Sequence, residues 1–144
     1  GFTNMDAYPP QEGQLLFEDR MIAVLPKSHP LAKRAEISLK DLAGEPFLML
    51  DEGKFSVVRR AFEKEGLTPD VRYFVYDDYT ILSMVQLGLG NSMLYECVAR
   101  GFEHQVALVP LKNAPKRPVA LTWKSWETLS YAAKNFANFL LSGK

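Results

Sequence analysis

Hydrophobic positions along this chain switch repeatedly between two periods. Residues 21–25, Met21-Ile22-Ala23-Val24-Leu25, form an uninterrupted apolar run closed by Pro26, the pattern of a strand buried on both faces. Residues 27–34 are polar, with Pro30 inside, and read as a loop. Ser38-Leu39-Lys40-Asp41 has the Ser-x-x-acid order of a helix start, and Gly44 and Pro46 hold that helix to about one turn. Phe47-Leu48-Met49-Leu50 is a second apolar run. Asp51 then stands where a cap would, and Phe55, Val58, Ala61 and Phe62 recur at helical spacing up to Gly66, a C′ glycine. Residues 71–75 alternate and are rich in β formers, which predicts a third strand. Asp77 or Asp78 caps a helix that turns Ile81, Leu82, Val85 and Leu89 inward and stops near Gly88 and Gly90.

The second half continues the alternation. A strand at 92–95, a short helix at 96–100 and a strand at 106–109 lead to a connector holding Pro115 and Pro118. A strand at 119–123 follows, and Thr128 is placed to cap a last helix burying Leu129, Ala133, Phe136 and Leu140. Strands alternating with helices predict an α/β fold on an open, parallel-type sheet. Sheets of that kind bind ligands beyond the carboxyl ends of their strands, where helix N-termini turn free backbone N–H groups outward. In this sequence those places are 51–56, 76–80 and 95–97.

Composition narrows the function classes. The 17 basic residues balance 17 acidic ones, so no net field draws the chain to nucleic acid or to an anionic membrane. Any contact with DNA belongs to another segment. Cys97 is the one cysteine, and His29 and His104 lie far apart, so neither an internal disulfide nor a metal site is expected and no cofactor is called for. No apolar stretch approaches the ~18 residues of a membrane span, and the chain reads as cytoplasmic. No nucleophile stands beside a base and no glycine-rich phosphate loop follows a strand, which argues against an enzyme. Gly1-Phe2-Thr3-Asn4 reads as the tail of a strand with no initiator methionine, which predicts a fragment.

The order of these signals resembles the C-terminal, effector-binding half of LysR-type transcriptional regulators over essentially the whole chain. His29-Pro30-Leu31-Ala32 looks like the family's HPLA turn. Residues 38–47, SLKDLAGEPF, are similar to its SLxDLxGEPF segment, and Val85-Gln86-Leu87-Gly88-Leu89-Gly90 to its VxxGLG. Arg117-Pro118 with 121–123 resembles the closing RPLxLxW strand. Most of these residues read as scaffold. Two places depart from the pattern: Tyr95 stands where the family usually has proline, and 52–56, Glu-Gly-Lys-Phe-Ser, replaces a glycine-serine-rich helix start.

The resemblance implies a fold like the type 2 periplasmic binding proteins, in which two α/β lobes joined by crossing strands hold a ligand between them. It divides the chain into 1–25 as a remnant of the first lobe and a crossing strand, 26–112 as the complete second lobe, and 113–144 as the return strand and final helix of the first lobe. It further implies a ligand-sensing domain that relays effector binding to an absent N-terminal helix-turn-helix, the only part to touch DNA. A fragment of a periplasmic-type solute-binding protein is the alternative. The apolar strands and helix outside the complete lobe predict self-association, or a second polypeptide covering them.

The expected effector site comprises Gly53, Lys54, Phe55, Ser56, Tyr76, Asp78, Thr80 and Tyr95. Gly53, Lys54 and the Ser56 hydroxyl at a helix start suit an acidic group, while the tyrosine rings can cover an apolar or aromatic body. The effector class is therefore a small organic acid, aromatic acids included. Each residue has a plainer role open to it: Asp77 or Asp78 as a cap, Lys54 as a solvated lysine, Cys97 as a small buried hydrophobe and not an oxidant sensor. Asp51 and Glu52 would repel an anion unless they turn outward as caps.

Overall fold

The apolar run at 21–25 is the inner half of a longer strand. In the structure, a computed structural model that describes residues 2–4, 12–123 and 126–142, β1 (Phe2–Asn4) is followed by β2 (Glu12–Leu25), α1 (Leu39–Ala43), β3 (Pro46–Leu50), α2 (Val57–Lys64) and β4 (Asp70–Val75). Then come α3 (Asp78–Gln86), β5 (Ser92–Tyr95), α4 (Glu96–Ala99), β6 (Ala107–Pro110), β7 (Lys116–Trp123) and α5 (Tyr131–Ser142). The segments 47–50 and 71–75 are strands, as their patterns predict.

The chain divides into two units, Gly1–Asp19 with Lys116–Lys144, and Arg20–Pro115. In the second, β3 and β4 pair in parallel and a parallel bridge joins Phe47 to Asn91 at the start of β5. β2 runs antiparallel to β5 on one side and to β6 on the other. The sheet is therefore mixed, where the sequence predicted a parallel type. A continuous apolar run marks burial on both faces and carries no information on strand direction.

That two-sided burial is visible residue by residue. Met21, Ala23 and Leu25 of β2, with Phe47 and Met49 of β3, pack against Leu39 and Leu42 of α1 and Val58 and Phe62 of α2. The alternate residues Ile22, Val24 and Leu48 pack on the opposite side against Ile81, Leu82 and Val85 of α3. Period two in the strands thus feeds two apolar layers, each closed by helices. Phe47 and Phe62 meet edge to face at 5.3 Å.

Helix ends follow local chemistry. Ser38 and Asp41 form the reciprocal capping box at α1. Gly66 and Gly88 take positive φ just past α2 and α3, as C′ glycines do. Four expectations need correction. Cys97 is exposed and is not a buried hydrophobe. Ser56, not Asp51, caps α2, so Phe55 lies before the helix and is 69% exposed. Leu89 falls beyond the end of α3 and is exposed. The Ala133 N–H donates to the hydroxyl of Ser130, not of Thr128, at the start of α5, and Ala137 is the buried residue there while Phe136 is exposed.

The first unit pairs β1 with β7 antiparallel, and β7 neighbours β2. Leu16, Leu121 and Ala137 form its small core, with the Trp123 and Trp126 rings edge to face at 5.1 Å beside it. Asp19, buried here, accepts from Arg117 Nη2 at 3.1 Å.

Candidate effector site

Because β3, β4 and β5 run the same way, their carboxyl ends lie at one end of the second unit, and the loops 51–56, 76–80 and 95–97 leave from there. The first two leave from adjacent strand ends: the Asp51 N–H donates to the carbonyl of Val75, the last residue of β4, at 2.7 Å. Asp51 also folds its own loop, its carboxylate accepting from the Gly53 N–H at 3.0 Å in an Asx turn. Glu52 reaches back to the Val57 N–H at 3.4 Å. Both carboxylates thus act on local backbone, Glu52 at a helix N-terminus where negative charge is favoured.

Ser56 accepts from the Arg59 N–H at 3.1 Å, and its hydroxyl faces Met49 Sδ at 3.8 Å. Its oxygen is engaged in capping. Gly53 and Lys54 are exposed at the loop tip, and the Phe55 ring lies under the Arg60 guanidinium at 5.1 Å, a cation–π contact. This loop therefore offers two cationic groups and a ring to solvent.

The second loop is organised by Asp77, the residue of the acidic pair that caps α3. One carboxylate oxygen accepts from the Thr80 N–H at 2.8 Å and the other from the Thr80 hydroxyl at 2.7 Å. The hydroxyl bond and then the amide bond hold the Asp77 carboxyl below its ordinary value. Thr80 consequently has its donor occupied, Asp78 is half-buried, and Tyr76 stands 83% exposed. Tyr79, on the same turn, meets the Phe102 ring edge to face at 5.7 Å, and Phe102 stacks on His104 at 6.4 Å. Sequence reasoning did not place Phe102 or His104 beside this loop; no local pattern connects them with residue 79.

Tyr95 is half-buried against the apolar layer under α1 and α2, and Glu96 follows it as the first residue of α4. Glu96 accepts from Arg20 Nε at 2.9 Å and from Arg100 Nη2 at 2.7 Å, and these guanidiniums, Arg20 first, lower its carboxyl pKa. The structure thus starts 51–56 and 76–80 from adjacent, hydrogen-bonded strand ends and leaves Tyr95 on a loop at the same end. Among the described residues no group of His, Cys, Asp or Glu is placed to hold a metal.

A family model described as LysR substrate binding domain matches residues 1–143. The chain belongs to this family. The HTH-type transcriptional regulator YvbU of Bacillus subtilis is 35% identical over 133 residues, covering 90% of this chain and 46% of that protein. The LysR family regulator HinK of Pseudomonas aeruginosa superposes with a TM-score of 0.79 at 26% identity, over 98% of this chain and 52% of that one. The effector binding domain of QuiR in complex with shikimate superposes with a TM-score of 0.69 at 22% identity, over 92% and 64%. The chain spans about half the length of the curated relatives it matches. These findings support a LysR sensing domain of the type 2 periplasmic-binding-protein-like fold, and they displace the solute-binding-protein alternative.

The LysR motifs now have physical content. His29 of the HPLA turn lies with Nε2 2.7 Å from Oε1 and 2.9 Å from Oε2 of Glu45, from the GEPF segment. Its Nδ1 accepts from the Leu31 N–H at 3.0 Å, so the hydrogen sits on Nε2 and is donated to Glu45. Asn91 Nδ2, just past the GLG, donates to the same carboxylate at 3.2 Å. Three motif segments distant in sequence are joined by one carboxylate at the amino-terminal end of β3, opposite the candidate loops.

Proposed function

We propose that this chain is the effector-sensing part of a LysR-type transcriptional regulator, and that its effector is a small organic acid held by the loops carrying Gly53, Lys54, Phe55, Ser56, Tyr76, Asp78, Thr80 and Tyr95. The observation that carries the reading is the convergence of these loops at the carboxyl ends of β3, β4 and β5, with helix N-termini behind two of them. Lys54 and Arg60 bias the first loop toward an anion, since Asp51 and Glu52 are turned to backbone N–H groups. Tyr76 and Tyr95 cover the body of the ligand. That a protein of the same fold was captured with shikimate, a carboxylate, is in keeping with this. The regulator touches DNA through a helix-turn-helix outside this chain, and two copies associate through their sensing parts.

The intact regulator is screened by thermal shift against shikimate and other small aliphatic and aromatic carboxylates. A ligand that binds only the folded state raises the apparent stability by RT ln(1 + [L]/Kd), about 2.7 kcal/mol at a hundredfold excess over Kd. With a carboxylate hit in hand, Lys54→Gln and Tyr76→Phe each weaken binding by about 1 kcal/mol. Hits confined to neutral or cationic compounds, or affinities untouched by both substitutions, would overturn the assignment.

A further inference from the structure

Where the chain passes from one unit to the other, neighbouring residues of β2 engage different strands. β2 belongs to the first unit up to Asp19 and to the second from Arg20, and successive strand side chains point to opposite faces. Met21 faces Tyr95 in the antiparallel β2–β5 register. Arg20, one residue before that register, meets Glu96, the first residue of α4, and Arg20 Nε donates to Glu96 Oε2 at 2.9 Å. One residue earlier, Asp19, 3% exposed, accepts from Nη2 and Nε of Arg117 at 3.1 and 3.3 Å. Arg117 lies on β7, the strand that starts where the chain returns to the first unit. The Met21 N–H donates to the Pro115 carbonyl at 2.9 Å on the other side of the same crossing.

We propose that the Glu96–Arg20 and Asp19–Arg117 pairs act in series, linking the setting of loop 95–97 to the setting of the two crossing segments. Glu96 follows Tyr95 directly and sits in α4, so a displacement of that loop moves the carboxylate that holds Arg20. Arg20 and Asp19 share one peptide unit, and Asp19 cannot follow freely, because a buried carboxylate that loses its guanidinium is strongly disfavoured. The crossing must shift with it or resist the movement. The regulatory meaning of the link rests on the assignment of Tyr95 to the effector site; its existence does not, and it is tested without any effector.

The test is amide hydrogen exchange on the intact, ligand-free regulator, perturbing each end and reading the other. In Glu96→Gln and Arg20→Gln the Met21 amide exchanges about threefold faster, the factor expected of a partly exposed ion pair. In Asp19→Asn the Arg100 amide, which donates to the Glu96 carbonyl at 2.8 Å, also exchanges about threefold faster, since coupling is reciprocal and passes through the same Glu96–Arg20 pair. Arg100→Gln, which removes the other partner of Glu96, leaves Met21 unchanged. If Asp19→Asn does not fold, Arg117→Gln takes its place. The Leu48 amide, bonded to the Asn91 carbonyl at 2.8 Å, keeps its rate throughout. The link is overturned if either perturbation stays local, or if Leu48 accelerates by the same factor as the reporters, which is general loosening. Neither result bears on ligand affinity at Lys54 and Tyr76, so the two readings fail separately.

Discussion

Ser56 illustrates how one side chain can serve two purposes that must be separated by measurement. It caps α2, so Ser56→Ala removes a satisfied N–H partner and lowers stability by about 1 kcal/mol whether or not a ligand ever touches it. Chemical denaturation of the variant checks that value, and a loss of effector affinity counts only beyond it. Asp77 allows a cleaner experiment. Its folded pKa lies below its ordinary value, so its contribution is present at neutral pH and is lost as pH falls through the folded pKa. The denaturation midpoint therefore declines on acidification below about pH 4, and Asp77→Asn, which still caps but cannot titrate, shows a shallower decline. An equal slope in both proteins would show that Asp77 takes no part in the acid response. These caps were partly legible in the sequence: the Ser38 and Asp41 box is a strictly local pattern, whereas the choice between Asp51 and Ser56 depended on where β3 releases the chain.

The same contrast governs whole elements. Strands and helices declared themselves wherever apolar residues kept one period, as at 47–50 and 57–64, because burial on a sheet face or a helix stripe demands it. Phe62 is fully buried against Phe47. Phe62→Ala should cost about 3–5 kcal/mol, the usual penalty for emptying an aromatic site in a core. A loss under about 1 kcal/mol in denaturant titration would mean that the layer under α2 collapses to fill the space. Sequence could not supply the direction of β2, nor the meeting of His29, Glu45 and Asn91, since both depend on partners far along the chain. The candidate site shows the same limit. Its loops follow from strand ends and were found, but the engagement of the Thr80 hydroxyl with Asp77 and the ring contacts of Tyr79, Phe102 and His104 were not.

At the scale of the molecule, the surface left on α5 calls for a partner. Phe136 and Phe139 are three residues apart and so share a helix face, and they are 53% and 72% exposed, with Tyr131 of the same helix 81% exposed. Ala137 and the half-buried Leu140 and Leu141 already serve the small core of the first unit, so these rings are surplus to it. Solvent-facing aromatic rings grouped on one helix mark an association surface more often than isolated apolar residues do. A second copy of the regulator is the occupant consistent with the proposed function. Sedimentation equilibrium of the intact protein should then show a dimer or higher oligomer, and Phe139→Glu should weaken its association by about 2 kcal/mol, roughly thirtyfold, if the ring is a central anchor. Because the ring is not part of the core, unfolding of the variant at matched monomer concentration should change by no more than about 0.5 kcal/mol. An unaltered association constant would place the contact elsewhere, and a monomeric wild-type protein would remove the need for one.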